Sequence, residues 1–212
     1  STPELSFAVR HVKAQAGINL TASHNPPEYN GYKVYFEDGC QVVEPHASAI
    51  IAKVNAVESE DYPAVPESEH GRVIPMGVDI DEAYMTRLAT LPLDPDLIRR
   101  ENSLKIVYTP LHGVGGVIIK PMLARLGFQC DAVAEQEIPD GRFPTVKSPN
   151  PENAEALSMA ITQADRTGAD LVIATDPDDD RMGIAVRNAE GKMELLTGNQ
   201  IGSILAWYRA SR

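Results

Sequence analysis

Leu5, Ala8, Val9 and Val12 recur at i, i+3, i+4 and i+7, the spacing of one helical face. Ser1, Thr2 and Pro3 stand before them as start signals, and Gly17 follows as a stop. Ile18–Thr21 reads as a short strand. A second strand, Tyr32–Phe36, follows a loop whose Asn25-Pro26-Pro27 and Asn30-Gly31 are turn chemistry. Ala47, Ile50, Ile51, Val54 and Val57 restore a helical period. Residues 58–78 lose it and gather Pro63, Pro66 and Pro75 among acidic residues, which predicts a loop or bridging hairpin. Ile80, Tyr84, Leu88 and Leu91 predict another helix, and Leu93–Ser103 a boundary between two units.

The second half has a firmer rhythm. Lys105–Tyr108 predicts a strand, Ile118–Leu126 a helix closed by Gly127, and Phe128–Ala134 another strand. Asn150-Pro151-Glu152 has the form of an N-cap with proline at N1. Leu157, Ala160, Ile161 and Ala164 give the next helix its buried stripe, and Gly168 ends it. Leu171–Ala174 is short, apolar and partly β-branched, as a buried parallel strand should be. Met182–Val186 and Met193–Leu196 flank a turn and predict a hairpin. Strand–helix–strand–helix–strand followed by a hairpin implies an α/β sheet with right-handed crossovers and an antiparallel end.

Composition narrows the functional classes. A formal net charge of −11 over 212 residues argues against sequence-independent nucleic-acid binding, which needs a basic surface. Cys40 and Cys130 are too few for a disulfide scaffold or a Cys-rich zinc site and suggest a reduced setting, the cytoplasm. No apolar run is long enough for a membrane span. An anionic substrate would need a local cation to offset the acidic background.

Such a cation has a candidate site. Thr175-Asp176-Pro177-Asp178-Asp179-Asp180-Arg181 follows the buried strand and sets carboxylates at i, i+2 and i+4. In an extended loop alternate side chains share a side, so Asp176, Asp178 and Asp180 can converge on one hard cation such as Mg2+. An EF-hand needs Gly at the sixth position and Glu at the twelfth, where this chain has Arg181 and Arg187. A phosphatase aspartate pair would leave the third carboxylate and Arg181 without a role. Arg181 has the geometry to clamp a phosphate, or to pair with its acidic neighbours.

Ser23, in Thr21-Ala22-Ser23-His24-Asn25-Pro26, follows the first strand, and ligands of open α/β sheets bind beyond the carboxyl ends of strands. It lacks a Gly-x-Ser-x-Gly elbow, and an adjacent histidine normally points away, so residue chemistry alone reads it as a loop serine. By the same standard Lys33 is a surface lysine. His112-Gly113-Val114-Gly115-Gly116 fails as a dinucleotide fingerprint because position 118 is Ile. Its glycines suit a tight strand-to-helix turn, or a phosphate site at a helix N-terminus.

Taken together, TASHNPPEYNGYK (Thr21–Lys33), TPLHGVGG (Thr109–Gly116), PDGRFP (Pro139–Pro144) and TDPDDDR (Thr175–Arg181) resemble the α-D-phosphohexomutases, the phosphoglucomutases and phosphomannomutases. Gly198-Asn199-Gln200 fits the stretch that opens that family's next domain. The resemblance implies two consecutive three-layer α/β/α domains with mixed, mainly parallel sheets. Residues 1–100 would be part of domain I, 101–196 domain II and 197–212 the start of domain III. It implies that Ser23 is a phosphoserine whose phosphate joins Asp176, Asp178 and Asp180 around Mg2+. Lys33, Asp180 and Arg181 would meet the sugar phosphate, Lys33 and Arg181 assisting catalysis. The reaction would run through a hexose 1,6-bisphosphate, which also serves as activator. Four domains make up such an enzyme, so this chain is expected to be a largely inactive portion; the alternative is a non-catalytic Mg2+-binding or partner-binding module.

Overall fold

A computed structural model describes residues 1–59, 61 and 64–212. Helix α1 (Thr2–His11) is capped by Ser1, whose side chain accepts from the Glu4 amide, with Pro3 in its first turn. It buries Ala8 and Val9 against a two-stranded antiparallel sheet, β1 (Ala16–Leu20) and β2 (Tyr32–Phe36). Asn19 and Lys33 are register partners in that sheet, so they share a face. The other face carries Ile18, Leu20, Tyr32 and Phe36, all exposed. Helix α2 (His46–Asn55) forms as its period predicts, yet it buries no residue, and Ile51 and Val54 remain open to solvent.

Between α2 and α3 (Val78–Leu88) the described residues contain one 3-10 turn, Glu67–Glu69, and no strand, so of the two expected forms the loop is the one observed there. Pro63 lies outside the described residues. Leu93–Ser103, expected as a boundary, holds the helix α4 (Pro95–Glu101). Its start signals are Asp94, whose carboxylate accepts from the Leu97 amide at 2.9 Å, and Pro95 at N1. Helix α3 bridges the halves: Tyr84 meets Phe7 of α1 with ring centroids 5.3 Å apart. Met85 packs with Ile118 and Met122 of the second half, and Tyr84 also lies against that cluster.

The second half is a five-stranded mixed sheet in the order β4-β3-β5-β6-β7. Strands β3 (Lys105–Thr109), β4 (Gln129–Ala132) and β5 (Leu171–Thr175) are parallel, while β6 (Met182–Arg187) and β7 (Met193–Leu196) form the antiparallel end. Helix α5 (Ile119–Arg125) joins β3 to β4. The short α6 (Ala134–Glu137) and α7 (Ala154–Thr167) lead from β4 back to β5. The two crossovers run in opposite directions across the sheet, so right-handed connection puts α5 and α7 on opposite faces. Leu157, Ala160 and Ala164 of α7 close the core over Val107, Val172 and Ala185. Small alanines at those positions let helix and sheet approach closely. Gly168 ends α7 in the left-handed conformation at φ 66°. Helix α8 (Gly198–Ala210) opens on a capping box made by Thr197 and Gln200.

Asn150 and Pro151 do not start α7. The Asn150 side chain accepts from the Glu152 amide at 3.0 Å in a turn of its own, and Asn153 takes the cap position. The strand predicted over Phe128–Ala134 stops at Ala132, because Ala134 enters α6.

The glycine loop after β3 has a packing role. A Cβ on Gly113 would sit 2.2 Å from Pro177 Cα and 2.5 Å from its carbonyl oxygen. One on Gly115 would meet Tyr108 Oη at 2.2 Å and Asp179 Oδ1 at 2.6 Å. These glycines let the loop after β3 press against the acidic loop after β5. Gly116 has open space around it. Gly113→Ala is expected to cost about 1–3 kcal/mol, the usual penalty of overpacking, and Gly116→Ala far less. Denaturant midpoints of the two variants against wild type check this, and equal midpoints would contradict it.

Candidate active site

Ser23 lies in the loop after β1, Lys33 on β2, and the aspartates in the turn between β5 and β6. The fold brings them together. Ser23 Oγ donates to Asp176 Oδ2 at 2.7 Å, across 153 positions of sequence. Lys33 Nζ donates to Asp178 Oδ2 at 2.8 Å and to Asp180 Oδ2 at 2.6 Å. One oxygen each from Asp176, Asp178 and Asp180 lie within 4.8 Å of one another. Arg181 is exposed beside them, and among the described residues its guanidinium makes no ion pair. It does not pair with its acidic neighbours.

The convergence does not come from an extended loop. Asp179 turns left-handed at φ 65°, and its amide donates to the Asp176 carbonyl at 3.0 Å, making a tight turn. The amides of Asp180 and Arg181 donate to Asp176 Oδ1 at 3.1 and 2.9 Å. Three like charges are therefore held by backbone donors and by Lys33.

The serine loop is similarly constrained. Ser23 adopts φ 55°, uncommon for a residue with a Cβ. Its amide donates to Thr21 Oγ1 at 2.8 Å, and Ser148 Oγ donates to the His24 carbonyl at 3.0 Å. This backbone also overturns the expectation that His24 points away, since its Nδ1 lies 3.1 Å from Ser23 Oγ. The hydroxyl has one proton. Given to Asp176, it leaves Oγ free to accept from His24 Nδ1–H.

Thr2, Asn19, His24 and Asp179 are members of the site that sequence reasoning missed. Thr2 Oγ1 donates to Asp178 Oδ2 at 2.9 Å and accepts from Asn19 Nδ2 at 2.6 Å. A helix-start threonine and a strand asparagine carry no signal of this kind. The left-handed Ser23 that brings His24 in is equally invisible in a residue list.

Burial pushes Asp176 up to about 6, helped by repulsion from Asp178 and opposed by the Ser23 hydrogen bond. It pushes Asp179 up to about 6 as well. Burial works the same way on Asp178, but the hydrogen bonds from Lys33 and Thr2 outweigh it and hold that carboxyl low. Burial would lower Lys33; its two carboxylate hydrogen bonds raise it instead, so it remains an ammonium. Burial, then the Arg181 charge, lower His24.

The donor set suits a hard divalent cation. All three groups are carboxylates, and Asp178 Oδ1 is buried with no hydrogen-bond partner. An anionic oxygen left bare in this position asks for a positive ion.

Comparison with known proteins accords with this geometry. Residues 82–191 match the profile for phosphoglucomutase/phosphomannomutase α/β/α domain II, and residues 1–61 match that for α/β/α domain I. The chain belongs to the phosphoglucomutase/phosphomannomutase family. It is 40% identical over 215 residues to a Haemophilus influenzae protein named "Probable phosphomannomutase", covering 100% of this chain and 43% of that one. It is 39% identical over 217 residues to a Staphylococcus epidermidis phosphoglucomutase, covering 99% of this chain and 38% of that one. The crystal structure of a Thermus thermophilus protein described as a "putative phosphomannomutase" superposes with a TM-score of 0.75 at 31% identity, over 99% of this chain and 44% of that one. The chain thus spans about two-fifths of the length of these relatives. Among the described residues no helix is long and apolar enough to cross a membrane.

Asp176 and Asp179 have folded pKa values near 6 against 3.8 for a free carboxyl. The folded state therefore binds more protons than the unfolded chain in that window, and stability falls as pH rises through it. The lowered His24 works in the opposite direction. In EDTA, urea midpoints should be higher at about pH 5 than at about pH 7, and saturating Mg2+ should reverse the order. A higher midpoint at the upper pH without metal would contradict the burial argument.

Proposed function

We propose that this chain carries the phosphoryl-donor portion of a hexose-phosphate mutase, which interconverts hexose 1-phosphate and hexose 6-phosphate through a phosphoserine and a bisphosphate. The observation that carries this reading is the 2.7 Å hydrogen bond from Ser23 Oγ to Asp176 Oδ2. It sets a hydroxyl that can carry phosphate against carboxylates that can hold a cation. Membership of the family and the names of the relatives supply the reaction class.

In this reading Asp176, Asp178 and Asp180, with the phosphate on Ser23, hold Mg2+. The cation supplies charge neutralisation for the phosphoryl oxygens. Transfer breaks the P–Oγ bond of Ser23 while the sugar hydroxyl forms the new P–O bond, the proton that the sugar hydroxyl loses balancing the one that Oγ gains; the bisphosphate later returns its other phosphoryl group to Oγ, with the proton moving the opposite way. Lys33, kept as an ammonium, stabilises negative charge on the moving oxygens. The exposed guanidinium of Arg181, without an ion-pair partner among the described residues, offers a two-pronged contact to the sugar phosphate. A hexose 1,6-bisphosphate charges Ser23, and the free thiols of Cys40 and Cys130 favour a cytoplasmic setting. We assign residues 1–100 to part of domain I, 101–196 to domain II and 197–212 to the start of domain III. Because the chain spans two-fifths of its relatives, groups that select and anchor the sugar are expected elsewhere, and the isolated chain is expected to turn over little.

Incubation with glucose 1,6-bisphosphate and Mg2+ should add one phosphoryl group, read by intact mass, and Ser23→Ala should abolish it. Label that survives this substitution would sink the assignment of Ser23. Asp178→Asn should weaken Mg2+ binding by more than about tenfold in titration calorimetry. A coupled assay on glucose 1-phosphate should find little turnover, whereas brisk conversion would overturn the incomplete-enzyme reading.

A further inference from the structure

Asp178 Oδ2 accepts two hydrogen bonds, from Lys33 Nζ at 2.8 Å and Thr2 Oγ1 at 2.9 Å, while Oδ1 is buried and has none. The oxygen left for a cation is thus chosen by which oxygen the donors take. Lys33 is half-buried, on a long stem, and shared with Asp180. Thr2 is 6% exposed and short, and it is fixed at both ends. Its amide donates to the Asp178 carbonyl at 2.8 Å, and its hydroxyl receives the Asn19 amide at 2.6 Å. With Nδ2 donating to Oγ1, the single Thr2 proton points to the carboxylate. Main chain and side chain of one aspartate are therefore both gripped by the first residue of α1.

We propose that Thr2 is a positioning residue for the cation: the relay Asn19–Thr2–Asp178 aims Asp178 Oδ1 at the metal. Asn19 sits near the end of β1, just before the segment Thr21-Ala22-Ser23 that carries the nucleophile, and opposite Lys33. The relay ties the strand that bears the serine loop to the turn that bears the carboxylates. A β-branched residue with a hydroxyl fits the place: its Cβ packs at the helix start while its Oγ1 is held in one direction. This inference rests on the reading of Asp176, Asp178 and Asp180 as the cation's ligands, although Thr2 itself is not a ligand in it.

The test is the Mg2+ affinity of the whole chain, by titration calorimetry, for wild type, Thr2→Val, Thr2→Ser and Asn19→Ala. Thermal unfolding of each in EDTA serves as the control for folding. Thr2→Val keeps the shape and removes the proton, and it should weaken binding by about 10- to 100-fold, the usual effect of losing a partner of a ligand. Thr2→Ser restores the hydroxyl and should restore affinity. Asn19→Ala, which frees the hydroxyl to turn, should weaken binding in the same direction by less. Unchanged affinity in Thr2→Val, or a Thr2→Ser variant as weak as Thr2→Val, overturns the relay. If Thr2→Val fails to unfold cooperatively in EDTA, Asn19→Ala decides: unchanged affinity overturns the relay, and reduced affinity with an unchanged midpoint upholds it. Wild type that binds no Mg2+ overturns the cation reading instead, and the relay falls with it.

Discussion

Three carboxylates gathered at one strand end repel one another, and the arrangement around them answers that repulsion. Backbone amides of Asp180 and Arg181 hold one oxygen of Asp176 while Ser23 holds the other. Lys33 spans Asp178 and Asp180, and Thr2 takes a share of Asp178. These donors come from α1, β2, the serine loop and the acidic turn itself, so the first half of the chain is fastened to the second at that turn as well as through the packing of α3. Burial makes the arrangement costly and, for the same reason, makes any charge placed there strongly felt.

The strained backbone belongs to the same economy of space. Ser23 and Asp179 both occupy the left-handed region, one on each side of the contact. Strain of this kind persists only where neighbours over-determine the conformation. Thr21 and Ser148 do so for the serine loop, and Gly113, Gly115 and the Asp176 carbonyl do so for the acidic turn. A buried hydrogen bond between Tyr108 and Thr175, 2.8 Å long, forms the floor beneath that turn.

Much of this was legible in the residues. The stripe Leu157, Ala160, Ala164 and the apolar run Leu171–Ala174 pointed to the second sheet and its covering helix, because burial and period coincide there. Asp176, Asp178 and Asp180 were legible as a cluster, although a tight turn at Asp179 brings them together and not an extended loop. Ser23 and Lys33 were legible only through resemblance, since their chemistry depends on partners 153 and 145 positions away. Thr2 and Asn19 were illegible for the same reason. Asn150-Pro151 misled because cap and turn use the same residues, and α4 was overlooked because its short segment was read only as a boundary between two units.

The open side of the β1–β2 sheet sets the terms on which this chain stays dissolved. Ile18, Leu20 and Phe36, with Ile51 and Val54 of α2, offer water an oily surface. The opposing force is the net charge of −11, which keeps copies apart over roughly the Debye length, about 8 Å at physiological salt. Added electrolyte shortens that reach and leaves the oily attraction intact. Colloidal behaviour and the ion-pairing of Lys33 therefore draw on opposite surfaces of one small sheet: one face keeps Lys33 among carboxylates, and the other exposes the apolar side chains.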